Sequence, residues 1–256
     1  MYKERIVIKV GTNVMTNRDN KIVRPVLNEL VRQVAELYER DIMTLLVSSG
    51  SVIAGKEVLG KSKIKNKTQK RQVYSAIGQP RMMRLYYNIF HNYGMKCAQV
   101  LPTKRDFSPG VHRENMINCC EGLLSEGVVP IANEDDAVSV TMSMFSDNDE
   151  LASLIAQLIN ADKLIILTDI EGVFNGHPES ENSNLISDIE PKDNLDKYIK
   201  DSNKREGEGR GGMRSKLDYA QQAASKNIPT YIANGKRNNT IIDIIDGKNI
   251  GTKVAL

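Results

Sequence analysis

Two lysines stand where an ammonium group could hold a phosphate. Lys9 lies near the end of the apolar run at residues 5–10, directly before Gly11. An ammonium group placed against a buried sheet is costly unless an anion neutralises it. Lys216 follows the glycine-rich residues 206–212 and lies at the start of a predicted helix, where backbone N–H groups and the helix dipole attract anions. Either lysine alone could be an ordinary surface residue, but the pair indicates phosphate chemistry.

Two acidic residues occupy the ends of predicted elements. Asp147 precedes a strongly helical stretch, and we interpret it as a helix cap because its carboxylate can satisfy the first free N–H groups. Asp169 ends the apolar run LIILTD. An acid at the tip of a strand is more typical of a site than of a core.

Residues 55–62, GKEVLGKS, match the nucleotide-binding pattern GxxxxGK[ST]. Such a loop must leave a strand directly and open a helix. The preceding strand is predicted to end near Ser49, and the residues after Ser62 lack an apolar face, so we set this interpretation aside. The basic residues 56–71 are interpreted as a solvated, mobile surface loop, with nucleic-acid binding as the less favoured alternative.

The elements that must position these residues alternate along the chain. Short apolar runs are separated by longer amphipathic segments, which is typical of a parallel sheet covered by helices. Strands are predicted at residues 5–10, 42–49, 96–101, 128–132, 163–168 and 230–233. Helices are predicted from Pro25 onward and at residues 73–93, 148–160 and 213–226. The fold class is therefore α/β.

Small and polar residues follow four of the predicted strands. These are residues 11–13, 48–51 and 133–136, together with Asp169. Open parallel sheets bind ligands at the edge where strands end and helices begin. We therefore expect the ligand site at this edge.

Composition argues against several classes of protein. Lys and Arg total 35 against 32 Asp and Glu, without the basic excess of a nucleic-acid binder. The three cysteines form no CxxC pair, which argues against a zinc site and a disulfide framework and fits a reducing compartment. No segment resembles a signal peptide or a membrane span, so we expect a cytoplasmic protein.

Six motifs resemble those of the amino-acid kinase family in order and spacing. They are IVIKVGTNV, VSSGSVIAG, PIANEDDAV, SDNDELASLIA, LIILTDIEGVF and GGMRSKLDYAQQAA, and the match runs from Lys9 to about Thr252. The resemblance implies a three-layer α/β/α sandwich with a mainly parallel central sheet. It also implies a single domain over residues 1–256, without the C-terminal PUA domain of many bacterial members.

Within this family the motifs are most similar to those of members that phosphorylate the γ-carboxylate of L-glutamate, the first step of proline biosynthesis. This implies L-glutamate as substrate, ATP and Mg²⁺ as cofactors, proline as a feedback inhibitor and a homo-oligomer. It implies neither a membrane nor a nucleic acid as partner. A carboxylate acceptor is already ionised and needs no general base, so the protein supplies positioning and charge neutralisation. We expect no direct metal ligation by the protein.

The resemblance also implies a role for each matching residue. The catalytic residues are Lys9 and Lys216, which hold the transferred phosphate, and Asp149, which organises the lysines. The residues implied to bind glutamate are Ser49, Asn133, Asp136 and Asn148. The residues implied to bind the nucleotide are Lys9, Thr168, Asp169, Arg210, Gly211, Gly212, Met213, Arg214, Ser215 and Lys216.

The sequence departs from the family pattern at several positions. Arg210 and Arg214 replace small hydroxyl residues, Asp135 replaces the usual Asn, and Ser51 replaces Ala. Acetylglutamate, aspartate, carbamate and uridylate kinases would share the fold but not the acceptor. Asp136 favours a free amino acid, because an α-ammonium needs a carboxylate partner and an acetylated nitrogen does not. A non-catalytic nucleic-acid-binding protein is the alternative from another class.

Overall fold

The computed structural model of the chain describes residues 3–134, 136–137, 145–178, 180, 183–198 and 212–255. Three positions singled out above, Asp135, Arg210 and Gly211, lie outside these residues.

Within the described residues, eight strands form one sheet. The strands are β1 (Glu4–Val10), β2 (Ile42–Ser48), β3 (Lys96–Val100), β4 (Val128–Ala132), β5 (Lys163–Thr168), β6 (Asp188–Ile189), β7 (Thr230–Asn234) and β8 (Thr252–Val254). Their order is β3-β4-β2-β1-β5-β7-β8-β6. All neighbours pair in parallel except β7 and β8. The central strands are buried on both faces, as expected for a parallel sheet covered by helices.

Helices connect the strands and cover both faces of the sheet. They are α1 (Thr12–Met15), α2 (Arg24–Glu39), α3 (Ser51–Leu59), α4 (Lys67–Asn92), α5 (Val111–Ser125), α6 (Asn148–Leu158), α7 (Met213–Ala224) and α8 (Thr240–Ile245). Residues of α2, α4 and α8 share one hydrophobic cluster with the sheet. Residues of α5, α6 and α7 share a second cluster on the opposite face. The predicted three-layer α/β/α sandwich is confirmed.

The central strand β1 divides its side chains between the two layers. Ile6, Ile8 and Val10 belong to the cluster with α2 and α4, whereas Val7 belongs to the cluster with α6 and α7. Because successive side chains of a strand point to opposite faces, Lys9 shares the face of Val7. The strand thus directs a lysine toward α6 and α7.

The connections change direction beside β1. Strands β2, β4 and β3 lie on one side of β1, and β5 and β7 lie on the other. The crevice at the carboxyl ends of β1 and β5 is therefore a topological switch point, where open α/β sheets bind ligands. The expected position of the site at this edge agrees with the fold.

The prediction of a surface loop over residues 56–71 is wrong at both ends. Helix α3 extends to Leu59, and α4 already begins at Lys67. The reason is that α3 is anchored through small residues and not through an apolar stripe. A Cβ atom on Gly55 would lie 1.8 Å from the Tyr74 carbonyl oxygen, so the backbones of α3 and α4 are in direct contact.

The P-loop interpretation is excluded by the same contact. Gly55 lies inside α3, where its close approach to Tyr74 serves helix packing. A phosphate-binding loop would instead need this glycine between a strand and a helix. Lys61 and Ser62 follow the end of α3, and the Ser62 N–H group donates to the Tyr74 hydroxyl at 3.1 Å.

Candidate active site

Lys9, Asp149 and Lys216 form one buried ionic cluster. The Lys9 Nζ atom lies 2.6 Å from Asp149 Oδ1, and the Lys216 Nζ atom lies 3.0 Å from Asp149 Oδ2. Asp149 is completely buried, and Lys9 and Lys216 are 4% and 9% exposed. Three elements supply the cluster, namely β1, α6 and α7. The two ammonium groups are thus held side by side on the two oxygens of one carboxylate.

The protonation of this cluster follows from burial and from its charges. Burial lowers the pKa of Lys9, and Lys216 lowers it further, while Asp149 acts in the opposite direction. Burial alone would raise the pKa of Asp149, but Lys9 and Lys216 outweigh it and hold that pKa below the usual range. Asp149 is therefore ionised at neutral pH and holds the two lysines as a counter-ion.

Asp147 joins the first turns of the two helices that carry the cluster. Its Oδ1 atom accepts from the N–H groups of Asp149 and Glu150 at 2.8 Å and 3.0 Å, which confirms its predicted role as the cap of α6. Its Oδ2 atom accepts a hydrogen bond from the Ser215 hydroxyl on α7. This link fixes the start of α7, and hence Lys216, relative to Asp149.

The predicted nucleotide-binding residues differ in their burial and in their contacts. Thr168 ends β5 at the carboxyl edge of the sheet, where it is buried, and Asp169 beside it is exposed. Gly212 caps α7 with extended backbone, and Met213 packs partly buried against the core. Arg214 is exposed, and its guanidinium group pairs with two acidic residues. It forms ion pairs with Asp196 at 2.5 Å and with Asp218 at 3.1 Å.

Three predicted substrate-binding residues meet in a network of amides and hydroxyls. Asn148 Nδ2 donates to the Ser49 hydroxyl at 2.8 Å and to Asn133 Oδ1 at 3.1 Å. Asn133 Nδ2 in turn donates to the Ser51 hydroxyl at 3.3 Å and to Gln79 Oε1 at 2.9 Å. Asn148 immediately precedes Asp149 in the first turn of α6, so the network adjoins the ionic cluster.

The fourth predicted substrate residue, Asp136, is buried and charged. Its Oδ1 atom accepts from Arg71 Nε at 3.1 Å and from Arg71 Nη2 at 2.8 Å. The Ser75 hydroxyl oxygen lies 3.5 Å from Asp136 Oδ2 and 3.2 Å from the Ser51 hydroxyl oxygen, within hydrogen-bonding distance of either group. Asp136 therefore belongs to the same connected site as Asn133.

Sequence reasoning missed Arg71, Ser75 and Gln79 on α4. They are spaced four residues apart, so they lie on one face of the helix. A polar stripe at this spacing, beside the helix face that contacts the core, is the signal that could have identified them.

Among the described residues, no group of three or more His, Cys, Asp or Glu side chains is placed to hold a metal ion. The expectation that the protein ligates no metal directly stays a prediction. In the described part of the chain, no helix is long and apolar enough to cross a membrane.

Comparisons with known proteins point to a common family. The model of the amino acid kinase family matches residues 4–234. A glutamate 5-kinase of Bacteroides thetaiotaomicron is 40% identical over 241 residues, covering 94% of this chain and 66% of that protein. A glutamate 5-kinase of Chlorobaculum tepidum is 40% identical over 250 residues, covering 97% of this chain and 68% of that protein. The chain spans about two thirds of the length of these two relatives.

A shorter relative matches over nearly its whole length. A glutamate 5-kinase of Alkaliphilus metalliredigens is 36% identical over 250 residues, covering 97% of this chain and 94% of that protein.

Solved structures share the fold at low sequence identity. The isopentenyl phosphate kinase of T. acidophilum has a TM-score of 0.70 at 16% identity, covering 98% of this chain and 99% of its own. The UMP kinase from Bacillus anthracis has a TM-score of 0.67 at 13% identity, covering 100% of this chain and 97% of its own. These two likenesses concern the fold alone.

Proposed function

This chain belongs to the amino acid kinase family, and we propose that it transfers the γ-phosphate of ATP to the γ-carboxylate of L-glutamate. The product is L-glutamyl 5-phosphate, the first intermediate of proline biosynthesis. The observation that carries the proposal is the buried Lys9–Asp149–Lys216 cluster next to the network around Asn133 and Asp136.

The two lysines supply the charge that phosphoryl transfer requires. In the transition state, negative charge is spread over the phosphoryl oxygens between the attacking and the leaving oxygen. Lys9 and Lys216 are held in place by Asp149 before any ligand arrives, so their charges need no reorganisation during the reaction. The low solvent exposure of both lysines strengthens their attraction for the phosphate.

The acceptor needs positioning and no deprotonation. A γ-carboxylate is ionised at neutral pH and attacks phosphorus directly, forming the new O–P bond as the bond to the leaving ADP breaks. Asp149 remains ionised between its two lysines throughout and acts as their counter-ion. This role agrees with the low pKa of its carboxyl group.

Asp136 supports a free amino acid as the acceptor. Its carboxylate is buried and already engaged by a cation, the Arg71 guanidinium. A substrate α-ammonium would be recognised by the same charge-assisted hydrogen bonding. N-acetylglutamate has no α-ammonium group, so Asp136 favours glutamate over the acetylated acceptor.

Magnesium would reach the site on the phosphates of ATP. When bound there, the ion neutralises charge on the phosphoryl oxygens. The donor set fits this mode of binding, because both oxygens of the buried Asp149 are engaged by lysines and the exposed Asp169 lies at the tip of β5. The protein's own contribution is the pair of lysines.

Proline has an α-carboxylate and a cationic nitrogen in common with glutamate, so it would compete for Asp136 and inhibit the enzyme. We place the enzyme in the cytoplasm, where ATP and glutamate are available, and expect a homo-oligomer without nucleic-acid or membrane partners.

The experiment that tests the proposal is a coupled ADP-release assay over a panel of acceptors. With MgATP, L-glutamate should support turnover, and hydroxylamine should trap the acyl phosphate as a hydroxamate. Asp136→Asn should raise the KM for glutamate strongly, leave the KM for ATP nearly unchanged and weaken inhibition by proline in parallel. Turnover with N-acetylglutamate and none with L-glutamate would reject the proposed acceptor.

A further inference from the structure

Helix α4 presents a polar stripe to the candidate site, formed by Arg71, Ser75 and Gln79. Arg71 contacts Asp136, Ser75 contacts both Asp136 and Ser51, and Gln79 contacts Asn133. Each member of the stripe therefore touches the network that holds the predicted substrate-binding residues.

Two glycines allow the backbones of α3 and α4 to approach closely, which brings this stripe within hydrogen-bonding distance of the site. A Cβ atom on Gly78 would lie 1.7 Å from the Ser51 carbonyl oxygen, and one on Gly55 would lie 1.8 Å from the Tyr74 carbonyl oxygen. The backbone of α4 thus rests on the first turns of α3, directly beside the carboxyl end of β2. At this separation the side chain of Gln79 spans the distance to Asn133.

Gln79 is one end of a chain of amides that runs through Asn133 to Asn148. An asparagine side chain has an N–H₂ end that donates and an oxygen end that accepts. Because Gln79 Oε1 accepts from Asn133 Nδ2, the oxygen of Asn133 turns toward Asn148. Asn148 Nδ2 then gives its two hydrogens to Asn133 and Ser49.

This direction leaves the oxygen of Asn148 as an acceptor. Within the described ranges no donor reaches Asn148 Oδ1, although its nitrogen makes both of its hydrogen bonds. A substrate with an ammonium group, or with another N–H or O–H donor, finds a matching oxygen there. With the amides reversed, an N–H₂ group would face that donor instead, and the two would repel.

We propose that Gln79 is a positioning residue that sets the direction of the Asn133–Asn148 amide chain and so turns an acceptor oxygen toward the amino-acid substrate. The identity of that substrate as L-glutamate rests on the function proposed above. Gln79 acts through Asn133 and touches neither the substrate nor the phosphate. Its loss should therefore change acceptor binding and leave the nucleotide side of the site intact.

The first test is Gln79→Met, which keeps the length of the side chain and removes its acceptor. The KM for L-glutamate should rise at least about tenfold, the factor that corresponds to about 1.4 kcal/mol, within the range for one hydrogen bond. The KM for ATP should stay within about twofold of the unmodified protein. Gln69→Met makes the same change at an exposed position of α4 and is the matched control.

The second test is a double-mutant cycle with Asn133→Ala. If Gln79 acts through Asn133, adding Gln79→Met to Asn133→Ala should raise the KM for glutamate by less than about twofold more. Gln79→Glu retains an acceptor oxygen at the same reach and should recover at least about threefold of the loss in Gln79→Met. A full additional tenfold loss in the Asn133→Ala background would overturn the proposal.

A readout without turnover separates this proposal from the proposed function. In protein labelled with ¹⁵N at its asparagine side chains, Gln79→Met should shift the amide resonances of both Asn133 and Asn148, and Gln69→Met should shift neither. An unchanged Asn148 resonance would overturn the proposal whatever the substrate is. If the unmodified protein does not phosphorylate L-glutamate, the proposed function fails, and the resonances still decide the role of Gln79.

Discussion

At the scale of single residues, Asp149 makes two lysines act as one unit. Each of its oxygens holds one ammonium group, and all three side chains are removed from solvent. Removing Asp149 would take away the counter-ion of both buried ammonium groups, so the three residues are not independent.

Lys9→Ala and Lys216→Ala should each lower kcat by at least about a hundredfold, as the loss of a preorganised charge does. Lys61→Ala, in the segment that only resembles a P-loop, should keep nearly full activity because Lys61 is exposed outside the site. Steady-state kinetics of the three variants at saturating substrates provides the measurement. An inactive Lys61→Ala together with an active Lys9→Ala would place the phosphate site elsewhere.

The lowered pKa of Lys9 gives the activity an alkaline limit. Phosphate binding needs the charged form of Lys9, so kcat/KM should fall on the alkaline side with an apparent pKa below about 10.4, the ordinary value for lysine. Because the unfolded chain binds this proton more tightly than the folded one, the contribution of Lys9 to stability rises with pH across the same interval. Deprotonation of Lys9 does not destabilise the fold in this alkaline interval, so the loss of activity is not caused by unfolding.

A pH profile of kcat/KM, with the free energy of unfolding of the unmodified protein and of Lys9→Met compared at each pH, checks both statements. The unmodified protein should gain stability relative to Lys9→Met as the pH rises through the window. An alkaline limb at or above the ordinary lysine value would contradict the lowered pKa.

The members of the site were foreseeable to different degrees. Lys9 was recognisable because a charge within a buried strand requires a partner, and Asp147 because its position fits a helix cap. The contact of Arg214 with Asp196 was not foreseeable, because it joins two separate elements, whereas Asp218 lies four residues further along the same helix. Gln79 was missed because a polar residue in a helix is usually solvated, and only the fold brings it to Asn133.

At the scale of elements, the contact between α3 and α4 depends on two glycines. Gly78→Ala would place a methyl group 1.7 Å from the Ser51 carbonyl oxygen, which forces the two helices apart. We expect a loss of at least about 2 kcal/mol in the free energy of unfolding, as for other overpacked contacts. Chemical denaturation monitored by circular dichroism measures this change.

Gly122→Ala is the matched control for Gly78→Ala. Gly122 lies within α5, and a Cβ atom there would meet nothing within 4 Å. The substitution should therefore stabilise the protein by about 0.5–1 kcal/mol through helix propensity. Equal stabilisation by both substitutions would show that α3 and α4 are not in backbone contact.

The predictability of an element depended on how it is buried. Strands β1, β2 and β5 are mostly apolar and contain several β-branched residues, and their predicted bounds agree with the structure to within one residue. Strands β6 and β8 were missed because two or three residues carry no readable pattern. Helix α3 was missed because it packs through Ser51, Ala54 and Gly55, which form no apolar stripe.

At the scale of the whole molecule, one sheet supports both hydrophobic clusters. Strands β1, β2 and β5 contribute side chains to the cluster on each face, so neither layer has a core of its own. We therefore expect one cooperative unfolding transition, as for a single domain. Far-ultraviolet circular dichroism and tyrosine near-ultraviolet signals should give coincident denaturation curves. Two separated transitions would show that the layers unfold independently.

The lysines proposed to hold the phosphate and the α4 stripe proposed to orient the acceptor lie on different elements. The lysine cluster belongs to β1, α6 and α7, whereas the stripe that orients the acceptor site belongs to α4. We therefore expect substitutions along α4 to change which acceptor is used and to leave the lysine cluster intact. Directed evolution toward new carboxylic acids would do best to diversify Arg71, Ser75 and Gln79 and to leave the lysines untouched. A gene lineage could diverge by the same route.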